Sequence, residues 1–416
     1  VNVGIERLDL YAGRWALSIE ELVRARGGDL DYVRNRVMSE RRSVYPVYED
    51  AVTLAVNAAR RLLAGTRVDD IEMLVVGTES AVDFGKPISG WVHRLCGLSP
   101  NCRSFEVKHA CYGGTAALQT AASWVASGVR PGKKALVIST DLSRPPHSGR
   151  VHLTQTVGTH SPEFILGGCA VAAIVGDEPA VLELERERAG YWTQEIADTF
   201  RPTSRDEEGN QIESLCSYLD ALDGAYDHFE TVVGSVDYDA MFKKHIYHVP
   251  FPAMAREAHG ALLGRFGADK AALRASFAAK VEDGLHFAKQ IGTSYGASTF
   301  VCLLGLLQGN AGVEAGDRIS VFAYGSGCQG ELYSAVIGTG AHARVQEQRV
   351  QAHLDDRAQI SVELYDRNEE GRDAIVDQRD FTPERTLGDL YERTYAGRGL
   401  LVLEAINGFR REYAWS

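Results

Sequence analysis

Cys111 is the residue in this sequence best placed to act as a nucleophile. It lies in Phe105-Glu106-Val107-Lys108-His109-Ala110-Cys111-Tyr112-Gly113-Gly114-Thr115-Ala116-Ala117-Leu118, where a short apolar run meets a cysteine and then a glycine pair opening an Ala-rich helical pattern. The pattern predicts strand, tight turn and helix, with the thiol at the turn. Unpaired backbone N–H groups and the positive end of a helix dipole favour thiolate over thiol at such a place. Gly113 and Gly114 lack Cβ and would let a substrate carbonyl approach the backbone donors closely. A packed, inert cysteine is the competing reading, and this stretch alone does not exclude it.

Two further groups stand where strands end. Ile71-Glu72-Met73-Leu74-Val75-Val76-Gly77-Thr78 is a near-continuous apolar run of the kind buried on both sheet faces, and it delivers Glu79. Strand ends are where α/β folds place ligands, and a carboxyl group desolvated there is raised in pKa toward the range of a general base. A strand-end carboxylate held in a salt bridge is the alternative. His248 lies in His245-Ile246-Tyr247-His248-Val249-Pro250-Phe251, a short strand ending in polar residues and proline. It could equally be a satisfied core histidine, and His245 and His228 compete with it.

The elements that must position these groups repeat along the chain. Periodicity predicts a helix over 49–64, a strand over 71–78, a helix from Gly113 to about 127, and strands over 135–139, 170–175 and 181–184. The polar stretch 186–214 reads as loop, followed by helices over 214–236 and 239–244, a strand near 245–251 and a helix over 252–266. Gly292-Thr293-Ser294-Tyr295-Gly296-Ala297-Ser298-Thr299-Phe300-Val301 then resembles the Cys111 stretch, aligning Tyr295 with Tyr112 and Ser294 with Cys111. Strands over 319–324 and 331–337, joined by Gly325-Ser326-Gly327-Cys328, echo the Gly167-Gly168-Cys169 region. A duplicated α/β unit with pseudo-twofold symmetry would bring both helix N-termini and the strand ends to one central site. The halves fall at 1–180, carrying Glu79 and Cys111, and 181–416, carrying His248.

Gly325, Gly327 and Gly330 match G-x-G-x-x-G, but Glu331-Leu332-Tyr333-Ser334-Ala335-Val336-Ile337 reads as a strand, not the helix a pyrophosphate needs. A glycine hairpin placing the Ser326 backbone N–H opposite Cys111, as half of an oxyanion hole, fits better.

Composition excludes other classes. With 416 residues, 45% hydrophobic and 24% charged, the chain can bury a large core, and its net charge of −12 argues against nucleic-acid binding. No run approaches the ~20 apolar residues of a membrane span, and no basic-then-apolar leader pattern opens the sequence. Seven scattered cysteines without metal spacing imply free thiols and a reducing, cytoplasmic setting. His147, His152 and His160 fit no ligand motif and read as solvated or substrate-lining loop residues.

Several stretches together resemble the hydroxymethylglutaryl-CoA synthases: Gly77-Thr78-Glu79-Ser80 with Val82-Asp83-Phe84, Cys102-Arg103-Ser104-Phe105-Glu106-Val107-Lys108 running into Ala110-Cys111-Tyr112-Gly113-Gly114, and His248-Val249-Pro250-Phe251. The resemblance spans nearly the whole chain. It implies a thiolase fold, a duplicated five-layered αβαβα architecture with an insertion near 186–240, working as a homodimer. It also implies a triad in which Cys111 carries the acyl group, Glu79 acts as acid and base, and His248 positions the acceptor thioester. Gly325, Ser326, Thr293 and Tyr295 are the expected substrate-binding residues, and no metal or redox cofactor is expected.

Two departures narrow the expectation. Thr293 stands where these synthases usually carry asparagine, and Ala253 where many primary-metabolism members carry a lysine for coenzyme A phosphates. The segment is more similar to the polyketide-pathway synthases that install β-branches, whose donor and acceptor acyl groups arrive on acyl carrier proteins. Lys243, Lys244 and Arg256 are then candidates for the basic surface meeting the carrier. The expected reaction adds a Cys111-bound acetyl or propionyl carbanion to a β-keto thioester. A primary-metabolism synthase using acetyl-CoA and acetoacetyl-CoA, a ketoacyl synthase, and a non-catalytic carrier-binding scaffold are the alternatives.

Overall fold

The duplication is written in the order of the strands. The computed structural model describes residues 2–143, 151–154, 161–309 and 312–416. Its first half supplies β1 (Gly4–Tyr11), α1 (Ala51–Leu63), β2 (Ile71–Gly77), β3 (Arg103–Val107), α2 (Gly113–Ala126), β4 (Lys134–Leu142) and β5 (Gly168–Gly176). Its second half supplies β6 (Leu182–Thr193), β7 (Thr199–Phe200), β8 (Glu207–Asn210), α3 (Gln211–Val233), β9 (Lys244–Tyr247), α4 (Met254–Gly264), α5 (Ser298–Gln308), β10 (Arg318–Gly325) and β11 (Gln329–Ile337).

One nine-stranded sheet runs β9-β10-β11-β6-β1-β5-β4-β2-β3. From β1 outward the pairings are antiparallel to β5, antiparallel to β4 and parallel to β2. From β6 outward they are antiparallel to β11, antiparallel to β10 and parallel to β9. The two series meet where Gly4 faces Glu183 and Ile5 faces Leu182. β2 and β9 are therefore equivalents, and so are the helices α2 and α5 that precede β4 and β10.

Helices cover these strands in layers, giving the duplicated α/β thiolase architecture. α1 packs on β1, β4 and β5, and α2 packs on β2, β4 and β5. In the second half α3 lies on β6 and β11, and α5 on β9 and β10. The starts of α2 and α5 meet: a Cβ on Gly114 would lie 2.4 Å from the Gly296 carbonyl oxygen, so only glycine allows the approach. α1 begins two residues later than its apolar periodicity suggests because Asp50 caps it, accepting from the Val52 and Thr53 N–H groups while Thr53 caps back.

The polar stretch after β5 differs from its sequence reading. β6 continues to Thr193 because it pairs with β11 at both ends, over 182–184 and 189–193, and its charged run Glu185 to Arg188 falls between the two paired stretches at a shift in register. β7 and β8 follow where loop was expected, and β8 pairs in parallel with a short strand, Val151–Thr154, that contains His152. His147 and His160 lie outside the described residues. Among the described residues, no helix is long and apolar enough to cross a membrane.

Candidate active site

Register brings Glu79 to Cys111. Gly77, the last residue of β2, faces Val107, the last of β3, and the Thr78 N–H donates to the Val107 carbonyl at 3.2 Å. Both strands thus end at one level, and the chain leaves β3 into a turn whose Ala110 takes φ +41°, a left-handed conformation uncommon without glycine. That strained residue leads into Cys111, whose thiol feels the charge of the Glu79 carboxylate.

The thiol is not prepared as its position before a helix suggests. Burial first, and then the negative charges of Glu79 and Asp141, push its pKa well above the ordinary value. α2 opens only at Gly113, two residues beyond the thiol, and burial with the charges of Glu79 and Asp141 sets the direction instead. The glycine pair also serves another purpose than expected. The space beside Gly114 is filled by Gly296 and by Ser139 Oγ, not left open for a substrate carbonyl.

Asp141 is a member of the site that the sequence reading missed. It is buried at the end of β4, where its Oδ1 accepts the Glu79 N–H at 2.8 Å and the Thr78 hydroxyl at 3.0 Å. Burial and the neighbouring Glu79 charge raise its carboxyl to about 7. Glu79 itself pairs with Arg201, whose Nη2 lies 3.2 Å from Oε1. The salt bridge that the sequence offered as one alternative is therefore present, and the Glu79 side chain in it is largely buried.

The second half contributes His248 one residue beyond β9. Its N–H donates to the Phe322 carbonyl at 2.7 Å and its own carbonyl accepts the Tyr218 hydroxyl at 2.8 Å, fixing the backbone from β10 and α3. The ring is 2% exposed, and burial lowers its pKa to about 3, so it is neutral. Ser298 Oγ accepts the Val249 N–H at 3.4 Å and lies 2.6 Å from His248 Nδ1. A hydroxyl donating to Nδ1 leaves the neutral ring's proton on Nε2. The competing histidines have other partners: His245 bonds Ser320 and Asp239, and His228 Nδ1 accepts the Tyr191 N–H.

The Gly325-Ser326-Gly327-Cys328 hairpin joins β10 to β11, as the absence of a helix signal predicted. It presses on the Cys111 turn, since a Cβ on Gly325 would lie 2.6 Å from both the His109 oxygen and the Tyr112 nitrogen. Asp198, also missed, holds this hairpin by accepting the Gly327 N–H at 3.0 Å and the Tyr324 hydroxyl at 2.8 Å. Tyr295, at φ +49°, lays its ring 5.3 Å from the Arg201 guanidinium carbon, which joins it to the Glu79 side. Thr293 is buried and donates its N–H to the Ile165 carbonyl at 2.8 Å.

The expected basic surface is corrected. Lys243 and Lys244 sit at the beginning of β9, the opposite end from His248, and Lys244 is buried with its ammonium on Asp283 and the Ala279 carbonyl. Arg256, in the first turn of α4, donates to the Asn35 carbonyl at 2.8 Å. Ala253 is buried, its N–H bonded to the Val37 carbonyl at 3.2 Å.

Comparison with known proteins extends this geometry. Residues 1–167 match the family profile of the hydroxymethylglutaryl-coenzyme A synthase N terminal, and residues 265–416 that of the C terminal. The chain is 34% identical to the polyketide biosynthesis 3-hydroxy-3-methylglutaryl-ACP synthase PksG of Bacillus subtilis, over 100% of this chain and 99% of that one. It is 30% identical to the hydroxymethylglutaryl-CoA synthase of Enterococcus faecalis, over 88% and 91% of the two chains. Its structure superposes on the curacin biosynthetic pathway HMG synthase, solved in complex with acetyl donor-ACP, with a TM-score of 0.93, 36% identity and full coverage of both chains.

Proposed function

The chain belongs to the hydroxymethylglutaryl-CoA synthase family, and on that premise we propose that it builds β-branches on polyketide intermediates held by acyl carrier proteins. The observation that carries the chemistry is that β2 and β3 end at one level, which sets Glu79 and the Cys111 turn side by side with the Glu79 charge acting on the thiol.

Cys111 sulfur attacks the carbonyl of a donor acetyl or propionyl thioester, and the carrier's pantetheine thiol leaves with the proton. Glu79 then takes a proton from the acyl carbon beside the Cys111 thioester, while backbone N–H groups near Cys111 and Ser326 stabilise the enolate oxygen. The carbanion adds to the β-keto carbon of the acceptor, placed by the His248 Nε2–H, with Thr293 lining the acceptor side and Tyr295 the Glu79 side. Glu79, now protonated, returns its proton to the new alkoxide, and water releases the product from Cys111. Each step is served by thioester and side-chain chemistry, so no metal or redox cofactor enters. Residues 1–180 and 181–416 act as the two halves of the duplication, in a cytoplasmic homodimer.

The carrier handle is supported by the full-length similarity to an ACP-dependent synthase and by Ala253, which offers no charge to coenzyme A and is buried under Val37. Arg256, beside the exposed Arg34 and Arg36, takes over from Lys243 and Lys244 as the cationic patch for the acidic carrier helix. Acylation and condensation should run faster with carrier-bound substrates than with the matching coenzyme A thioesters, and salt should slow the carrier reaction more. Measuring both at equal concentration and two ionic strengths tests this. Preference for acetyl-CoA and acetoacetyl-CoA over every carrier-bound form would return the protein to primary metabolism.

A further inference from the structure

Arg201 follows β7 and turns inward, leaving its side chain 11% exposed. Its Nε donates to Glu207 Oε2 at 2.9 Å, its Nη1 donates to the Glu79 carbonyl at 2.9 Å, and its Nη2 lies 3.2 Å from Glu79 Oε1. The guanidinium also lies over the Tyr295 ring. Tying down the β7–β8 loop would require only Glu207, which sits on that same hairpin. Instead the guanidinium meets both the main chain and the side chain of Glu79, and burying a cation this far is costly unless the charges it faces repay it.

Those charges are what Glu79 needs balanced. Facing it are Asp141 from β4, the Cys111 thiol, Glu207 from β8 through Arg201, and the Tyr295 ring. Crowded carboxylates disfavour one another's ionised forms, and a base must be ionised. We infer that Arg201 is a positioning residue for the base: clamped by Glu207 and laid over Tyr295, its guanidinium keeps Glu79 ionised and directed at Cys111. Asp198 lies on the same segment and grips the Ser326 hairpin, so one short stretch sets both the base and the facing turn.

The inference rests on Glu79 being the base, and the test separates the two. Enzyme acetylated on Cys111 with acetyl-phosphopantetheine is placed in D2O, and deuterium entering the acetyl group is followed by mass spectrometry of the acid-quenched Cys111 peptide. Enolisation and its reversal exchange methyl hydrogen for deuterium without any acceptor. Arg201→Gln should slow exchange about tenfold near pH 6 and move the acid limb of the profile upward by about one unit. Arg201→Lys should recover most of the rate. Glu207→Gln, which leaves the guanidinium to Glu79 alone, should move the limb downward. Acetylation of Cys111 in each variant reports that it is folded. A uniform slowing of Arg201→Gln and Glu207→Gln with an unmoved limb would overturn the inference while Glu79→Gln stayed inert. Exchange in Glu79→Gln at the parent rate would overturn the base assignment and the inference together.

Discussion

β2 and β9 occupy equivalent places in the two halves of the sheet, yet they deliver their side chains into opposite electrostatic settings. Glu79, beyond β2, meets a cation, a second carboxylate and a thiol. His248, beyond β9, meets a serine hydroxyl, with its main chain held by a tyrosine and a strand carbonyl, and burial alone lowers its pKa. Duplication thus fixes where a group stands, and the side chains packed around each strand end decide whether it trades protons or only offers a hydrogen bond. On the proposed mechanism, one half changes charge during turnover and the other stays neutral.

Breaking the charged half at its nucleophile should give the largest effect. Cys111→Ala should abolish acyl-enzyme formation, while Cys169→Ser and Cys328→Ser, both at buried positions outside the Glu79 contact, should still acylate. Intact-mass measurement after mixing with an acyl thioester checks this. In the neutral half, His248→Ala should leave loading intact and lower acceptor turnover about a hundredfold. Ser298→Ala should cost less, about tenfold in acceptor kcat/KM, because losing one buried hydrogen bond frees the tautomer without removing the ring.

The smallest effect sharpens the contrast. With a folded value of about 3 against about 6.5 when unfolded, His248 is neutral across the working range. His248→Asn should therefore lower the rate without changing the shape of the pH profile between about pH 5 and 8. The sign for stability follows: as pH falls from about 6.5 toward 3, the unfolded chain takes up a proton that the folded one refuses, and stability is lost. Urea melts should show a shallower acid decline in His248→Asn. A limb near 6.5 that vanished in this variant would mean the imidazole titrates during turnover.

Much of the sheet, and the places of Glu79, Cys111 and His248 along it, were legible because they depend on local pattern. Apolar runs marked β2, β4, β5, β10 and β11, and Glu79, Cys111 and His248 each follow such a run or the turn after it. Asp141 was open to the same reasoning as Glu79, had the strand over 135–139 been carried two residues further to its polar end. Asp198 and Arg201 were not, because they lie in a polar stretch whose partners are far away in sequence, Gly327 and Glu79. The direction of the Cys111 shift was misjudged for a related reason: the helix terminus is visible locally, while the two carboxylates that outweigh it arrive from β2 and β4. Lys244 looked like a surface cation because nothing near it in sequence shows Asp283 waiting to bury it.

The central claim is that Cys111 carries the acyl group and Glu79 acts only afterwards, and Glu79→Gln tests it most directly. Removing the carboxylate charge also removes one cause of the raised Cys111 pKa, so loading should persist. Intact mass and product formation are followed together after adding donor and acceptor thioesters. The expected result is full acylation at Cys111 with carbon–carbon bond formation reduced by roughly a thousandfold or more. Glu79→Gln that condensed at a near-parent rate, or that failed to acylate while remaining folded, would contradict the account.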